Sequence, residues 1–155
     1  MPIADLTVDP LTLADLRTVV AQHDRFWGER DLRALHAEVL VQEFGDTCFA
    51  VRRAGEVVGY LIGFVTPHRR GYVHLIAVRD DARKLGIAQS LWESFAERAA
   101  ALGATELKAI TSVANSGSIA FHTAIGFEAT RVEDYSGPGE PRIVFLKDMG
   151  SPPGR

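Results

Sequence analysis

Residues 72–88 read Tyr72-Val73-His74-Leu75-Ile76-Ala77-Val78-Arg79-Asp80-Asp81-Ala82-Arg83-Lys84-Leu85-Gly86-Ile87-Ala88. The first seven, rich in aromatic and branched aliphatic side chains, predict a strand over Tyr72–Val78. A polar loop, Arg79 to Ala82, follows. Arg83-Lys84-Leu85-Gly86-Ile87-Ala88 then opens a helix over Gly86–Leu102, with Ile87, Leu91, Phe95, Ala99 and Leu102 on one face. A strand that feeds a glycine-containing turn into a helix is a phosphate-binding arrangement. The first helical N–H groups have no internal partners, and the helix dipole adds partial positive charge there. Gly86 removes the side chain that would keep a diphosphate off the backbone. Arg83 and Lys84 place charge beside the cradle. The plainer reading is that Gly86 only opens a helix beside a surface basic pair. The chain has neither G-x-x-x-x-G-K-[ST] nor a G-x-G-x-x-G after a strand, so the triphosphate and dinucleotide loops are absent.

A second informative stretch runs Asn115-Ser116-Gly117-Ser118-Ile119-Ala120-Phe121-His122-Thr123-Ala124-Ile125-Gly126-Phe127. Helical spacing puts Ser118, Phe121, His122 and Ile125 on one side. Asn115 stands where a strand gives way to the helix, able to meet a ligand or to cap the helix. Gly126 ends the helix and Phe127 restarts a strand. By themselves these residues read first as a cap and a satisfied histidine, and only second as a ligand contact and a catalyst.

Outward from these stretches the chain predicts a strand over Ile3–Val8. A helix follows, with Asp9 as cap and Pro10 in its first turn, then a break at His23–Gly28. A second helix is expected over Glu29–Glu43, ended by Gly45. Strands Thr47–Arg53 and Glu56–Thr66 are joined by the tight turn Arg53-Ala54-Gly55-Glu56. After the long helix come a strand Glu106–Val113, a helix Ser116–Ile125 and strands Phe127–Tyr135 and Arg142–Leu146. The order β-α-α-β-β-β-α-β-α-β-β predicts an α/β fold: a mixed sheet with helices on its faces. No repeat, linker or composition break divides the chain, so a single domain over residues 1–149 is expected, with a disordered tail, Gly150–Arg155.

Length and composition agree with that plan. At 155 residues, 46% hydrophobic and 24% charged, the chain suits one globular domain with a sizeable core. A net charge of -3 argues against a broad nucleic-acid footprint. The single cysteine, Cys48, excludes a disulfide framework and a cysteine zinc cage, and its setting predicts a packed strand residue. The longest apolar run, Val57–Val65, is far short of the roughly 20 residues of a membrane helix. The opening Met1–Asp5 shows no secretory pattern, and a cytoplasmic protein is expected.

Together, R-x-x-G-x-A at Arg83, Gly86 and Ala88 and the later Asn115, Ala120, Gly126 and Phe127 resemble the GNAT superfamily, the acyl-CoA-dependent N-acetyltransferases. The likeness spans about Tyr72 to Phe127. It implies a mostly antiparallel sheet with one splayed parallel pair, flanked by about four helices. It also implies acetyl-CoA as co-substrate, with no metal and no covalent enzyme intermediate. By the resemblance, the backbone of Ile76, Ala77 and Val78 pairs with the pantetheine arm and receives oxyanion charge. The N–H groups of Leu85, Gly86, Ile87 and Ala88 hold the diphosphate beside Arg83 and Lys84. Asn115 and Ser118 meet the pantetheine, and His122 lies near the sulfur as donor to the departing thiolate.

The chain departs from the family pattern at two places. The family often has tyrosine where this chain has His122. An unperturbed imidazole is only about a quarter protonated at pH 7, although a thiol is already a tolerable leaving group. Glutamates that serve as base in other members are replaced by Tyr72 and Ile110. His74, on the same strand face as Tyr72, a water relay or a carboxylate from the first helices could accept the proton instead, and His74 also reads as a histidine packed on a strand face. Acceptor contacts are expected from Trp27, Arg30 and Tyr135. Trp27 can stack on a ligand or anchor its turn, and Asp24, Glu29 and Arg30 can bind charge or stay solvated. His68-Arg69-Arg70 reads as a solvated basic loop tip. The expected function is acetyl transfer to a primary amine of a small molecule or peptide. The alternative is a non-catalytic acyl-CoA sensor. Neither nucleic acid nor membrane is an expected partner; a homodimer is possible.

Overall fold

The structure, a computed structural model, describes residues 6–150. The residues before Leu6 in the expected first strand, and residues 151–155 of the expected tail, lie outside this range. Among the described residues the elements are β1 (Leu6–Pro10), α1 (Leu13–Ala21), α2 (His23–Trp27), α3 (Glu38–Glu43), β2 (Cys48–Arg53), β3 (Glu56–Val65), β4 (Arg70–Val78), α4 (Ile87–Ala101), β5 (Glu106–Thr111), α5 (Ser116–Ala124), β6 (Glu128–Val132) and β7 (Arg142–Asp148). The strands form a seven-stranded sheet in the order β1-β2-β3-β4-β5-β7-β6. The pairs β1–β2, β2–β3, β5–β7 and β6–β7 are antiparallel. β4 and β5 are parallel, in register at Arg70–Glu106, Gly71–Leu107 and Tyr72–Lys108. The mixed, mostly antiparallel sheet is the expected fold class, with five α-helices among the described residues against the expected about four.

The chain gathers into two compact units. The first contains residues 6–64 and 73–99, and the second residues 65–72 and 100–150. In the first, Leu16, Val19 and Phe26 from α1 and α2 pack with Ala50, Tyr60, Ile62, Leu75 and Ala77 of the strands. Cys48 joins that core on β2, where burial pushes its thiol up to about 11. In the second, Leu107, Ala109, Phe127, Ile143 and Phe145 are buried.

Several boundaries differ from the sequence expectation. Asp9 and Pro10 belong to β1, not to a helix start. The cap is Thr12, whose hydroxyl accepts from the Asp15 N–H while the Asp15 carboxylate accepts from the Thr12 N–H. Pro10 is tolerated because β1 is an edge strand, and Asp9 pairs with Arg52 at 3.1 Å. The expected break at His23 is itself helical, as α2, and ends at Gly28 with φ +63°. The expected second helix is interrupted: a 3-10 turn at Arg33–Leu35 precedes the short α3. Here imidazoles compete for the backbone, since Leu32 donates its N–H to His23 and accepts from His36. Leu102 falls beyond α4 and is exposed. Arg70 is not a loop-tip residue; it starts β4 and pairs with Glu106 at 2.6 Å.

Two contacts seat the start of α4. A Cβ built on Gly59 of β3 would stand 2.5 Å from Ile87 Cγ2 and 3.5 Å from Leu91 Cδ1, so the helix rests directly on the strand backbone. In the loop before it, Arg79 is 4% exposed and is gripped by Asp81 through Nε at 2.7 Å and Nη2 at 3.0 Å, with Glu56 at 3.4 Å. Arg25 and Arg53 also reach Asp81, each at 3.2 Å. Backbone bonds finish the anchorage: Arg79 N–H to Val58 O and Asp80 N–H to Arg25 O, both 2.8 Å.

Gly59→Ala is expected to destabilise the chain by about 1–3 kcal/mol in urea titration, because the Ile87 Cγ2 methyl is fixed to a branched Cβ and the helix must shift. Arg79 beside Asp81 holds its carboxyl down to about 2. The unfolded carboxyl, near 3.9, binds its proton more readily. The stabilisation is therefore complete above about pH 4 and is lost as pH falls toward 2. Asp81→Ala should cost about 2 kcal/mol at pH 7 and should flatten that acid dependence in pH-resolved denaturation. The cost is below that of a fully buried partner, because Asp81 is 41% exposed.

Candidate active site

The loop of residues 79–86 and the start of α4 form the candidate cofactor cradle, all within the first unit. Lys84 has φ +64° and Gly86 φ +79°, left-handed conformations that turn the chain sharply into the helix. A Cβ on Gly86 would meet nothing within 4 Å among the described residues, so the space before the helix start is open. The Ser90 N–H bonds to Gly86 O at 3.0 Å, which makes Gly86 the residue that opens the helix. The first α4 N–H groups, those of Ile87 and Ala88, lack intrahelical acceptors by helix geometry. An open glycine turn beside the exposed Arg83 and Lys84 fits a diphosphate. Arg83 does more than add charge. Its Nε and Nη2 donate to the carbonyls of Val78 and Phe26, each at 3.3 Å, tying the end of β4 to the end of α2. Leu85 is half-buried beside it. Ile76, Ala77 and Val78 lie on β4 beyond the three parallel pairs with β5, and burial alternates along the strand.

In the second unit Asn115 caps α5. Its Oδ1 accepts from the Ser118 N–H at 3.1 Å, and its Nδ2 donates to Thr111 Oγ1 at 3.0 Å. His122 is 4% exposed, stacked on Phe145 at 4.2 Å between centroids and edge-on to Phe121 and Phe127. Its Nδ1 stands 2.8 Å from Ser118 O, with Ser118 Oγ at 3.3 Å. A carbonyl only accepts, so Nδ1 carries the proton and Nε2 is the basic nitrogen of the neutral ring. Burial pushes the His122 pKa below its ordinary value, against the pull of the Ser118 carbonyl. The geometry therefore favours a neutral histidine whose N–H is spent on the helix backbone. The expected donation to a thiolate would require a second proton on a buried ring.

His74 is half-buried on β4, and its Nε2 lies 2.8 Å from Leu35 O. That carbonyl fixes the proton on Nε2 and leaves Nδ1 as the basic nitrogen. Trp27 takes the anchoring alternative: its Nε1–H donates to Tyr60 Oη at 2.7 Å. Arg30 is exposed, with its guanidinium carbon 5.9 Å from the Trp27 ring centroid. Tyr135, in the second unit, follows β6 with the Lys108 ammonium 5.0 Å from its ring centroid. The structure thus brings Trp27 and Arg30 together, and Asn115, Ser118 and His122 together. Sequence reading missed Arg79, Tyr60 and His36. Their importance depends in part on partners far away in the chain, Glu56 for Arg79 and Tyr60 for His36, which no local motif reveals. Among the described residues no group of three or more His, Cys, Asp or Glu is gathered to hold a metal ion, and no helix is long and apolar enough to cross a membrane.

The sequence model of the Acetyltransferase (GNAT) family matches residues 14–127. Over 79 residues the chain is 40% identical to an L-methionine sulfoximine/L-methionine sulfone acetyltransferase of Pseudomonas aeruginosa, a match taking in 48% of this chain and 46% of that protein. The chain spans about half the length of the curated relatives it matches. Its fold is like that of Ard1 from Thermoplasma volcanium, with a TM-score of 0.78, 20% identity, and coverage of 93% of this chain and 97% of that one. It is also like that of a phosphinothricin acetyltransferase from Sinorhizobium meliloti solved with acetyl-CoA, with a TM-score of 0.71, 20% identity, and coverage of 94% and 89%. A family match that runs from α1 through the glycine turn at Gly86 to Phe127, on a sheet with one parallel pair, establishes that this chain belongs to the GNAT acetyltransferase family.

Proposed function

We propose that the chain is an acetyl-CoA-dependent N-acetyltransferase whose acceptor is the amino group of a small amino-acid-like molecule. The open glycine turn at the start of α4 carries this reading, because it suits a diphosphate and lies inside the family match. When bound, acetyl-CoA supplies an acetyl thioester that an amine can attack, with a thiolate as leaving group. The N–H groups of Leu85, Gly86, Ile87 and Ala88 hold the diphosphate oxygens, and Lys84 neutralises their charge. The backbone of Ile76, Ala77 and Val78, in the same unit as the glycine turn, pairs with the amide-bearing arm. These contacts orient the reacting groups, which is the larger part of what acyl transfer needs.

His74 takes the proton that the incoming ammonium must lose, through Nδ1. Arg30, beside Trp27 in the same unit, receives the acceptor's carboxylate. His122 holds α5 in place through Ser118 rather than donating to the sulfur, and solvent protonates the thiolate, a tolerable leaving group at neutral pH. The amino-acid-like acceptor is supported by the 40% identity, over 79 residues, to a relative named for L-methionine sulfoximine and L-methionine sulfone.

The reading is tested by incubating the chain with acetyl-CoA and L-methionine sulfone and following thiol release. A chain that binds acetyl-CoA but turns over no amine would be the acyl-CoA sensor instead. Gly86→Glu should abolish acetyl-CoA binding in calorimetric titration while the circular dichroism stays native, because a carboxylate would fill the cradle. Its left-handed φ adds about 1–2 kcal/mol of strain. Unchanged affinity would remove the cofactor assignment. His122→Phe keeps an aromatic ring on Phe145, and its kcat should stay within about threefold of wild type. A loss near the 100-fold typical of a missing general acid would restore the donor role.

A further inference from the structure

Three imidazoles of the first unit converge on the irregular segment between α2 and α3. His23, at the start of α2, accepts the Leu32 N–H on Nε2 at 3.0 Å. His36 lies at the other end of the segment, with Nδ1 2.7 Å from Leu32 O. A carbonyl only accepts, so this nitrogen bears the proton and His36 Nε2 presents a lone pair. That lone pair faces Tyr60 Oη at 2.7 Å, so the phenol donates to it. The same phenol oxygen accepts the indole N–H of Trp27, also at 2.7 Å. The chain of donors runs in one direction only: Trp27 to Tyr60, Tyr60 to His36, His36 to Leu32.

The network lies deep enough to stay in one protonation state. His36 is 8% exposed and Tyr60 fully buried. Burial pushes the His36 imidazole down and the Tyr60 phenol up. The titratable groups that act on His36 are His23 and His74, and a charge on either would lower it further. A protonated His36 could not accept from Tyr60, so the neutral form is also the one the hydrogen bonds require.

Between the two clamped groups of Leu32 and His36 stands the 3-10 turn Arg33–Leu35, closed by the Leu35 N–H on Leu32 O at 3.0 Å. The carbonyl of Leu35 then accepts from His74 Nε2 at 2.8 Å. A residue on β4 thus has its tautomer set by a backbone carbonyl that the buried network holds still.

We propose that His36 and Tyr60 are positioning residues for His74: through the 3-10 turn they fix the Leu35 carbonyl, which keeps the His74 proton on Nε2 and its Nδ1 lone pair ready to take a proton from the acceptor ammonium. This rests on the acetyl-transfer reading. In the step, the N–H bond of the ammonium breaks and its electron pair becomes the amine lone pair. The proton joins His74 Nδ1, and the imidazolium keeps its Nε2–H on Leu35 O. After turnover, Nδ1 returns the proton to water.

The test uses the full chain, labelled with nitrogen-15, and needs no ligand. Imidazole nitrogen shifts of His74 are followed from pH 5 to 8.5, with His74→Gln giving the assignment. The wild type should show one neutral tautomer, proton on Nε2. Tyr60→Phe and His36→Gln should each shift His74 toward a mixture of the two tautomers. Two variants are used because either alone leaves a buried group unpaired and is destabilised; native circular dichroism is required of the one read. An unchanged His74 tautomer in a folded variant overturns the proposal.

A second arm follows acetylation of L-methionine sulfone against pH. His74→Gln should lower kcat/KM about 100-fold and remove its acid limb. Tyr60→Phe should lower it about tenfold and keep the limb. A His74→Gln chain with the wild-type profile overturns His74 as base and the proposal with it. A wild type that acetylates no amine overturns the acetyl-transfer reading instead, and the tautomer measurement still decides the positioning network.

Discussion

A guanidinium buried at 4% exposure has to be neutralised where it lies, and Arg79 meets that demand at the end of β4. Asp81 answers it from two residues away with both carboxylate oxygens, and Glu56 answers from the start of β3. Asp81 in turn collects Arg25 and Arg53, so one carboxylate joins the end of α2, the β2–β3 hairpin and the loop before α4. The loop can then afford left-handed backbone at Lys84 and Gly86, because its other end cannot move. Gly59 completes the support by letting Ile87 rest on the sheet. The cradle is thus a consequence of charge pairing and close packing behind it.

The segment between α2 and α3 follows a different logic. Its residues have helical propensity, yet its hydrogen bonds go to side chains. His23 and His36 take the two polar groups of Leu32, and Tyr60, which accepts from Trp27, donates to His36. From Trp27 to Leu32 each donor has an acceptor, which offsets much of the cost of irregular backbone inside the structure, although the buried Nδ1 of His23 has no hydrogen-bond partner among the described residues. Irregular backbone here frees a carbonyl, that of Leu35, for His74. The local loss of helix and the orientation of a candidate base are one event.

Much of the cradle was legible in the sequence. The strand-forming stretch Val73–Val78, the helix-opening glycine at Gly86 and the spacing of Ile87, Leu91, Phe95 and Ala99 each act over a few residues, and each is found in the structure as expected. Asn115 was legible as a cap for the same reason. The helix start at Asp9 was misread because a nearer cap with its own capping box, Thr12 and Asp15, outcompetes it, and because an edge strand accepts Pro10. His122 was visible as a histidine on a helix face, but not its stack on Phe145, which comes from β7.

The sequence by itself determined the order of the strands, the glycine turn into α4 and the family likeness, because propensity, capping and glycine geometry are local properties of the chain. Tertiary structure alone decided the protonation geometry. Whether an imidazole donates or accepts depends on the partner each nitrogen meets, and those partners are Leu35 for His74, Ser118 for His122, and Tyr60 with Leu32 for His36. Burial then favours the neutral ring for His36 and His122. For His74 and for Nε2 of His36 the partners, Leu35 and Tyr60, lie on other elements brought together by packing, so no spacing rule in the sequence encodes the direction of those hydrogen bonds.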